Sequence, residues 1–221
     1  MIVSKKGVQT SRVLIVDDHP VVRLGIKQMI AAEPALEVCG EADTMESALR
    51  ACRTSECDLV LVDLSLGSTS GLELIKQLHE EHPHLPILVL SMHDESLFAQ
   101  RALRAGARGY LQKHEAIEGL IAAIRQVLSG KVYVSDTVAQ QVLAGLRGTA
   151  PTPTDQLATL TDREIQVLER VGRGSSTAEI ARDLGVSVKT IETYRSNIKA
   201  KLNLKSALDL VRYATSWIER P

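Results

Sequence analysis

The chain has 221 residues, 44% of them hydrophobic and 24% charged, with a formal net charge of −1. That length suits one large domain or two small ones, and no stretch approaches the ~18 apolar residues that would span a bilayer. The near-neutral total hides an asymmetry. From Ala158 onward eleven Lys and Arg stand against eight Asp and Glu, a balance of +3, while the remainder carries −4; an acidic half and a basic half imply different partners.

Met1 to Arg12 carries Lys5, Lys6 and Arg12 but no apolar core, and reads as a short tail rather than a secretory signal. The apolar run Val13-Leu14-Ile15-Val16 follows, and then an amphipathic stretch at 20–31. The same alternation repeats as 36–42 with 45–54, 59–62 with 71–81, 87–91 with 95–105, and 109–112 with 117–129. Five strand–helix units in succession predict an α/β fold, a doubly wound five-stranded parallel (βα)5 sheet with helices on both faces. The strand runs are short and unalternating, as strands buried on both faces should be.

Asp17 and Asp18 end the first strand run and Asp63 ends the third. In a parallel sheet these carboxylates meet at the C-terminal edge, where open α/β sheets bind ligands. Three clustered carboxylates call for a hard cation, and Mg²⁺ is the expected one. A carboxylate held beside it is a suitable covalent acceptor for a phosphoryl group.

After Gly130 the pattern breaks. One more helix is expected over 134–146, and 147–154, rich in Gly, Pro and Thr, reads as a flexible linker. Thr161-Asp162-Arg163-Glu164 is a capping box opening a helix to about Gly172, and Ser176-Thr177-Ala178-Glu179 opens a short one to Leu184. Gly185 makes a tight turn, Ser187 caps a third helix over 188–202, and a fourth spans 206–218. The expected division is a tail at 1–11, the α/β domain at 12–130, a linker with a helix at 131–157, and a separate all-α four-helix domain containing a helix-turn-helix at 158–221. The odd set Cys39, Cys52 and Cys57 lacks metal-ligand spacing and reads as reduced thiols of a cytoplasmic protein, two of them buried. His19, His82, His84 and His93 are scattered, without the Cys/His spacing of a zinc site.

These residues carry a resemblance. Asp17-Asp18, Asp63, Ser91, Tyr110 and Lys113 resemble the receiver domain of two-component response regulators over nearly all of 12–130. Leu160-Thr161-Asp162-Arg163-Glu164, Gly174, Glu179-Ile180-Ala181, Leu184-Gly185-Val186-Ser187, Lys189-Thr190-Ile191 and Lys201-Leu202 resemble the LuxR-type helix-turn-helix, and the two together the NarL/FixJ class. The resemblance implies that Asp63 takes a phosphoryl group from a sensor histidine kinase, that Asp18 ligates Mg²⁺ directly and Asp17 partly through water, and that the Ser65 backbone carbonyl completes the protein's share. Chemistry alone supports Lys113 as counter-charge, Ser91 as a donor to the phosphoryl oxygen, and Tyr110 as a switch that turns inward to fill space Ser91 vacates. The family usually has proline where Gly67 stands, which predicts a more mobile loop over 67–71, and proline where His114 stands, which leaves a cis bond there open.

In the basic half Ile191, Tyr194, Ile198 and Leu202 recur at helical spacing and should meet Ile180, Ala181 and Leu184. The opposite face offers Lys189, Glu192, Thr193, Ser196, Asn197 and Lys199 to the major groove of double-stranded DNA, with Thr190 at the start of the same helix. Thr193 and Asn197 are expected at bases, and Lys189, Arg195, Lys199 and Lys201 at phosphates. Glu192 accepts from cytosine N4 or holds a neighbouring cation. A domain charge of +3 makes non-specific affinity modest, so a homodimer formed on phosphorylation is expected. Leu208, Val211 and Arg212 offer it a face, although Leu210, Val211 and Ala214 equally suit the core. The implied protein is a transcription regulator rather than an enzyme, in the cytoplasm, with no membrane partner and with RNA polymerase as a candidate contact. Two alternatives stay open on sequence alone: a phosphate-independent receiver-type interaction module, and a flavodoxin-like ligand-binding protein.

Overall fold

A computed structural model describes residues 10–67, 69–93, 95–146, 157 and 159–218. Most of the expected tail and the expected linker at 147–154 lie outside the described residues. The chain divides into two compact units, Met1–Gln140 and Gln141–Pro221.

The first unit runs β1 (Ser11–Val16), α1 (Pro20–Ala31), β2 (Leu36–Ala42), α2 (Met45–Thr54), β3 (Leu59–Val62), β4 (Ser65–Leu66), β5 (Thr69–Ser70), α3 (Gly71–Glu81), β6 (Ile87–Ser91), α4 (Glu95–Ala105), β7 (Gly109–Gln112), a 3₁₀ turn (Lys113–Glu115) and α5 (Ala116–Leu128), and α6 (Asp136–Leu146) starts within it. Five strands form a parallel sheet in the order β2-β1-β3-β6-β7. Its central strands consist of Val, Leu and Ile because both faces are covered: Val13, Leu14, Ile15, Val60, Val62, Ile87, Leu88 and Val89 are fully buried, each worth about 1.5–3 kcal/mol of transfer free energy. β1 pairs with β2 on one side and β3 on the other, so the connections leave in opposite directions and open a crevice beyond the ends of β1 and β3. The β4–β5 ladder is antiparallel and sits at the mouth of that crevice.

Three expectations change. First, the chain after Gly130 does not simply leave the sheet: the Tyr133 carbonyl accepts from Tyr110 N–H at 2.8 Å and Tyr133 N–H donates to the Arg108 carbonyl at 3.0 Å. A single bridged residue carries no periodic signal, so sequence pattern misses it. Second, only Cys52 of the three thiols is buried. Cys39 is the extra residue of a bulge in the edge strand β2, where Val13 pairs Val38 and Leu14 pairs Gly40, and a bulge re-aims its side chain. Third, the loop expected to be loose carries the β4–β5 ladder, and Gly67, at φ +54°, donates its N–H to Asp18 Oδ2 at 2.9 Å. Proline has neither that φ nor that donor, so glycine here supplies a bond that the family's usual residue cannot make. The Lys113–His114 bond is trans.

In the second unit Thr161 and Ser176 complete both capping boxes, with Glu164 and Glu179 reaching back to their N–H groups. They start α7 (Asp162–Gly172) and α8 (Thr177–Asp183); Ser187 caps α9 (Val188–Lys201), and α10 (Ala207–Ile218) follows. Ile165, Leu168, Ile180, Ile191, Ile198, Leu210 and Ala214 form the core. Leu210 and Ala214 therefore take the inward face of α10, and Leu208 and Val211 remain exposed.

Candidate phosphorylation site and nucleic-acid interface

Each carboxylate of the pocket is placed by the backbone of the strand it ends. Asp17 N–H donates to the Ala42 carbonyl and Asp63 N–H to the Val16 carbonyl, so both leave the sheet in register. Asp17 and Asp63 are nearly closed to solvent, at 2% and 3% exposure. Ligand atoms of Asp17, Asp18, His19 and Asp63 all lie within 4.8 Å of one another. Lys113, delivered by the turn after β7, places Nζ 2.7 Å from both Asp17 Oδ2 and Asp63 Oδ2. Burial pulls the Lys113 ammonium down, but Asp63 and Asp17 together carry it above its ordinary value. Burial pushes the Asp63 carboxyl above its usual range, against the pull of Lys113.

Three carboxylates against one ammonium leave two negative charges in a nearly closed pocket, and Asp18 Oδ1 is buried without a hydrogen-bond partner. His19 Nδ1 lies 2.7 Å from that oxygen, without hydrogen-bond geometry. An oxygen set with this charge and an unused ligand atom fits a small divalent cation. A cation there neutralises the carboxylates and the oxygens of an incoming phosphoryl group.

Ser65, Ser91 and Tyr110 were expected at the site, but the role of Arg23 and the contacts that His93 makes with those three were not. Arg23, one turn into α1, donates to the Asp17 carbonyl at 2.6 Å; a lone Arg in a helix gives no sign of this. Ser65 turns its hydroxyl to His93 Nε2 at 2.9 Å and donates its N–H to Asp63 Oδ1 at 3.2 Å. Ser91 is fully buried and its hydroxyl accepts from His93 N–H at 3.1 Å, keeping its own hydrogen as a donor. Tyr110 already lies inward, 1% exposed, with its hydroxyl donating to the His93 carbonyl at 2.9 Å.

On α9, Lys189, Glu192, Thr193, Ser196 and Asn197 are exposed, Lys199 and Thr190 half-buried. Thr193 donates its hydroxyl to the Lys189 carbonyl at 3.0 Å, so it faces outward as a methyl group and an acceptor. Two of the expected phosphate contacts are engaged within the unit. Arg195 donates to Thr177 Oγ1 at 2.8 Å. Lys201 Nζ lies 2.7 Å from Glu164 Oε2; burial pushes Glu164 up, but Lys201 and Thr161 hold it below its usual range.

A parallel sheet in this order, with an acid pocket and a lysine at its switch point, followed by a helix-turn-helix unit, defines a phosphorylation-type receiver joined to a DNA-reading module. The response regulator receiver domain family matches residues 13–125, and the bacterial regulatory proteins of the luxR family match residues 158–214. The chain belongs to the two-component response regulators of the NarL/FixJ class, transcription regulators rather than enzymes. It is 35% identical over 203 residues to response regulator UvrY of Escherichia coli K12, covering 91% of this chain and 92% of that one. It is 36% identical over 204 residues to response regulator GacA of Pseudomonas aeruginosa, covering 92% and 94%. Among solved structures it is similar to the RcsB response regulator of Salmonella typhimurium, with TM-score 0.70 and 25% identity over 94% of this chain and 98% of that one. RcsB of Salmonella enterica serovar Typhimurium bound to promoter P1flhDC in the presence of the phosphomimetic BeF3⁻ aligns with TM-score 0.67 and 25% identity, over 94% and 99%. Among the described residues no helix is long and apolar enough to cross a membrane.

Proposed function

We propose that Asp63 accepts a phosphoryl group from a sensor histidine kinase in the cytoplasm, and that the acylphosphate promotes dimerisation and sequence-specific binding to promoter DNA. The observation that carries this is Asp63 itself, a buried carboxylate at the end of β3, 2.7 Å from Lys113 and clustered with Asp17 and Asp18. One Asp63 oxygen attacks phosphorus, the bond from phosphorus to the kinase imidazole breaks, and the imidazole keeps that electron pair. Lys113 balances charge on the phosphoryl oxygens, and the Ser91 hydroxyl donates to one of them, drawing on the segment that Tyr110 holds through His93. Asp18 and Asp63, with the Ser65 carbonyl and with Asp17 partly through water, would hold Mg²⁺, which would supply counter-charge to the carboxylates and the phosphoryl oxygens. Val21 and Ile117, each more than four-fifths exposed in the first turns of α1 and α5, offer the kinase apolar contacts.

Thr193 and Asn197 then read bases, with Thr190, Glu192 and Ser196 on or beside the same face, and Lys189 and Lys199 reach phosphates. Arg195 and Lys201 serve first to fix α9 against its neighbours. The RcsB complex with promoter DNA in the presence of a phosphoryl mimic supports the coupling of phosphorylation to DNA binding. Exposed Leu208, Val211 and Arg212 on α10 suit pairing of two output units. The division into tail, receiver, linker and output domain at 1–11, 12–130, 131–157 and 158–221 is part of this reading, and RNA polymerase is a further candidate contact. The test is labelling by acetyl phosphate with Mg²⁺. The native chain should label and Asp63→Asn should not; robust labelling of the Asn variant at another residue would overturn the assignment.

A further inference from the structure

Away from the acidic pocket, toward the opposite edge of the sheet, three thiols converge. Cys39 comes from the bulge in β2, Cys52 from the last turn of α2, and Cys57 from the segment that leads into β3. Cys39 Sγ and Cys57 Sγ are 3.3 Å apart, and Cys57 also interacts with the Cys52 thiol. A groove of about 650 Å³, lined by Cys52, Cys57 and His82 among others, opens this cluster to solvent. We propose that Cys39, Cys52 and Cys57 form a peroxide-reactive thiol site that closes a reversible Cys39–Cys57 disulfide.

The geometry is favourable because the two sulfurs need approach by only about 1.3 Å to reach bonding distance. The bulge, which in an edge strand costs a ladder bond, is what turns Cys39 toward Cys57. Reactivity is divided among the three. The Cys57 thiol beside it holds Cys52 below the usual thiol value, against the effect of its own burial. Burial pushes Cys39 up to about 12, and the same contact with Cys52 pushes Cys57 higher. Cys52 lines the groove and meets peroxide first, and Cys57, which also lines it and touches the Cys39 sulfur, is the resolving thiol.

The chemistry balances with hydrogen peroxide as oxidant. The Cys52 thiolate attacks one peroxide oxygen, the O–O bond breaks, and the departing hydroxide takes up a proton and leaves as water. Cys57 attacks the sulfenic sulfur of Cys52; its proton departs with the hydroxyl as a second water, and a Cys52–Cys57 bond forms. Cys39 then displaces Cys52 from Cys57, losing a proton as Cys52 regains one. One peroxide has taken two electrons from two thiols. In a reducing compartment such a bond is transient, which is the behaviour of a redox input rather than of a structural staple.

The test uses the full chain and peptide mapping. Lys27, Arg50, Arg53 and Lys76 put the three cysteines on three separate tryptic peptides. The reduced protein is treated with one equivalent of hydrogen peroxide, blocked with N-ethylmaleimide and digested without reductant. Two of the three thiols should be lost, with a peptide linking Cys39 to Cys57, and dithiothreitol should reverse both changes. Cys57→Ser should give no linked peptide; Cys52→Ser should give the same link at least several-fold more slowly. In 8 M urea the link should form at least ten-fold more slowly than in the native chain. Three alkylated thiols after peroxide, isolated sulfinic acids without a link, or equal rates in urea would each overturn the proposal, and all three are read on the native sequence.

Discussion

Gly71 packs directly on the Asp63 carbonyl: a β-carbon at residue 71 would lie 2.3 Å from that oxygen and 2.5 Å from Leu64 Cα. The obstacle is backbone, so it cannot swing aside as a side chain would. Gly71→Ala is expected to cost about 1–3 kcal/mol and to displace the strand end that carries the proposed acceptor, and a ~1 Å displacement of a reacting group can slow transfer about 10²-fold. Thermal unfolding and acetyl phosphate labelling on the same sample check both parts. Native labelling rates in a destabilised Gly71→Ala protein would separate the packing role from the positioning role.

Mg²⁺ should stabilise the receiver. Its affinity for the folded pocket raises stability by about 2.7 kcal/mol at a hundredfold excess over Kd, and EDTA should remove the gain. Asp18→Ala, which deletes the ligand whose Oδ1 is unpaired, should flatten the Mg²⁺ dependence. The sign with pH is fixed by Asp63. Its folded value is raised, so the native state holds that proton to higher pH than the unfolded chain does, and metal-free stability falls as pH climbs from the unfolded value through the folded one. Asp63→Asn in EDTA should lack that fall. Differential scanning fluorimetry across pH, with and without Mg²⁺, measures all of this.

Lys199 and Lys201 should part company although they are two residues apart. Lys201→Ala strands the buried Glu164 carboxylate and should cost about 1–3 kcal/mol, toward the low end because a third of the lysine side chain is open to water. Glu164 is held below its usual value, so its contribution is present above the unfolded value and is lost as pH falls through the folded one. In Lys201→Ala the acid limb of the stability curve should therefore move to higher pH. Lys199→Ala should leave the melting temperature alone and lower the salt slope of DNA binding by about one.

Tyr110→Phe removes the hydroxyl bond to the His93 carbonyl and should cost about 0.5–1.5 kcal/mol. Labelling of Asp63 should persist, because no reacting group is touched, while the shift from monomer to dimer on acetyl phosphate should weaken. Sedimentation of the labelled variant decides; an unchanged shift would show that Tyr110 is only a core residue.

The strands and their acidic ends were legible because the chemistry is repetitive: apolar runs buried on both faces have one sequence form, and carboxylates at their ends have few structural uses together. The capping boxes at Thr161 and Ser176 were legible for a similar reason, each being a local bond within four residues. What escaped was long-range. Nothing near Lys201 announces Glu164, thirty-seven residues earlier, and nothing near Arg23 or Gly67 announces the Asp17 carbonyl or Asp18 Oδ2. A cation on a polar helix face has the same pattern whether it meets a phosphate or a neighbouring carboxylate. That Tyr110, expected as an inward-turning switch, already lies inward with Ser91 in place was also beyond reach, since a rotamer choice between two positions leaves no trace in residue type.

The two tethers on α9 have a consequence for how the regulator meets its operator. Arg195 binds it to the start of α8 and Lys201 binds it to the start of α7, so the helix is fastened near its middle and at its C-terminal end while its first turns stay open. Its tilt is set when the unit folds. Arriving DNA therefore finds a preorganised probe and need not order it, which spares the complex the immobilisation cost that a floppy reading head would incur. In the proposed dimer the adjustable element in operator choice is then the separation between two rigid heads, and sequence preference at each half-site should be the same whether one head binds or two.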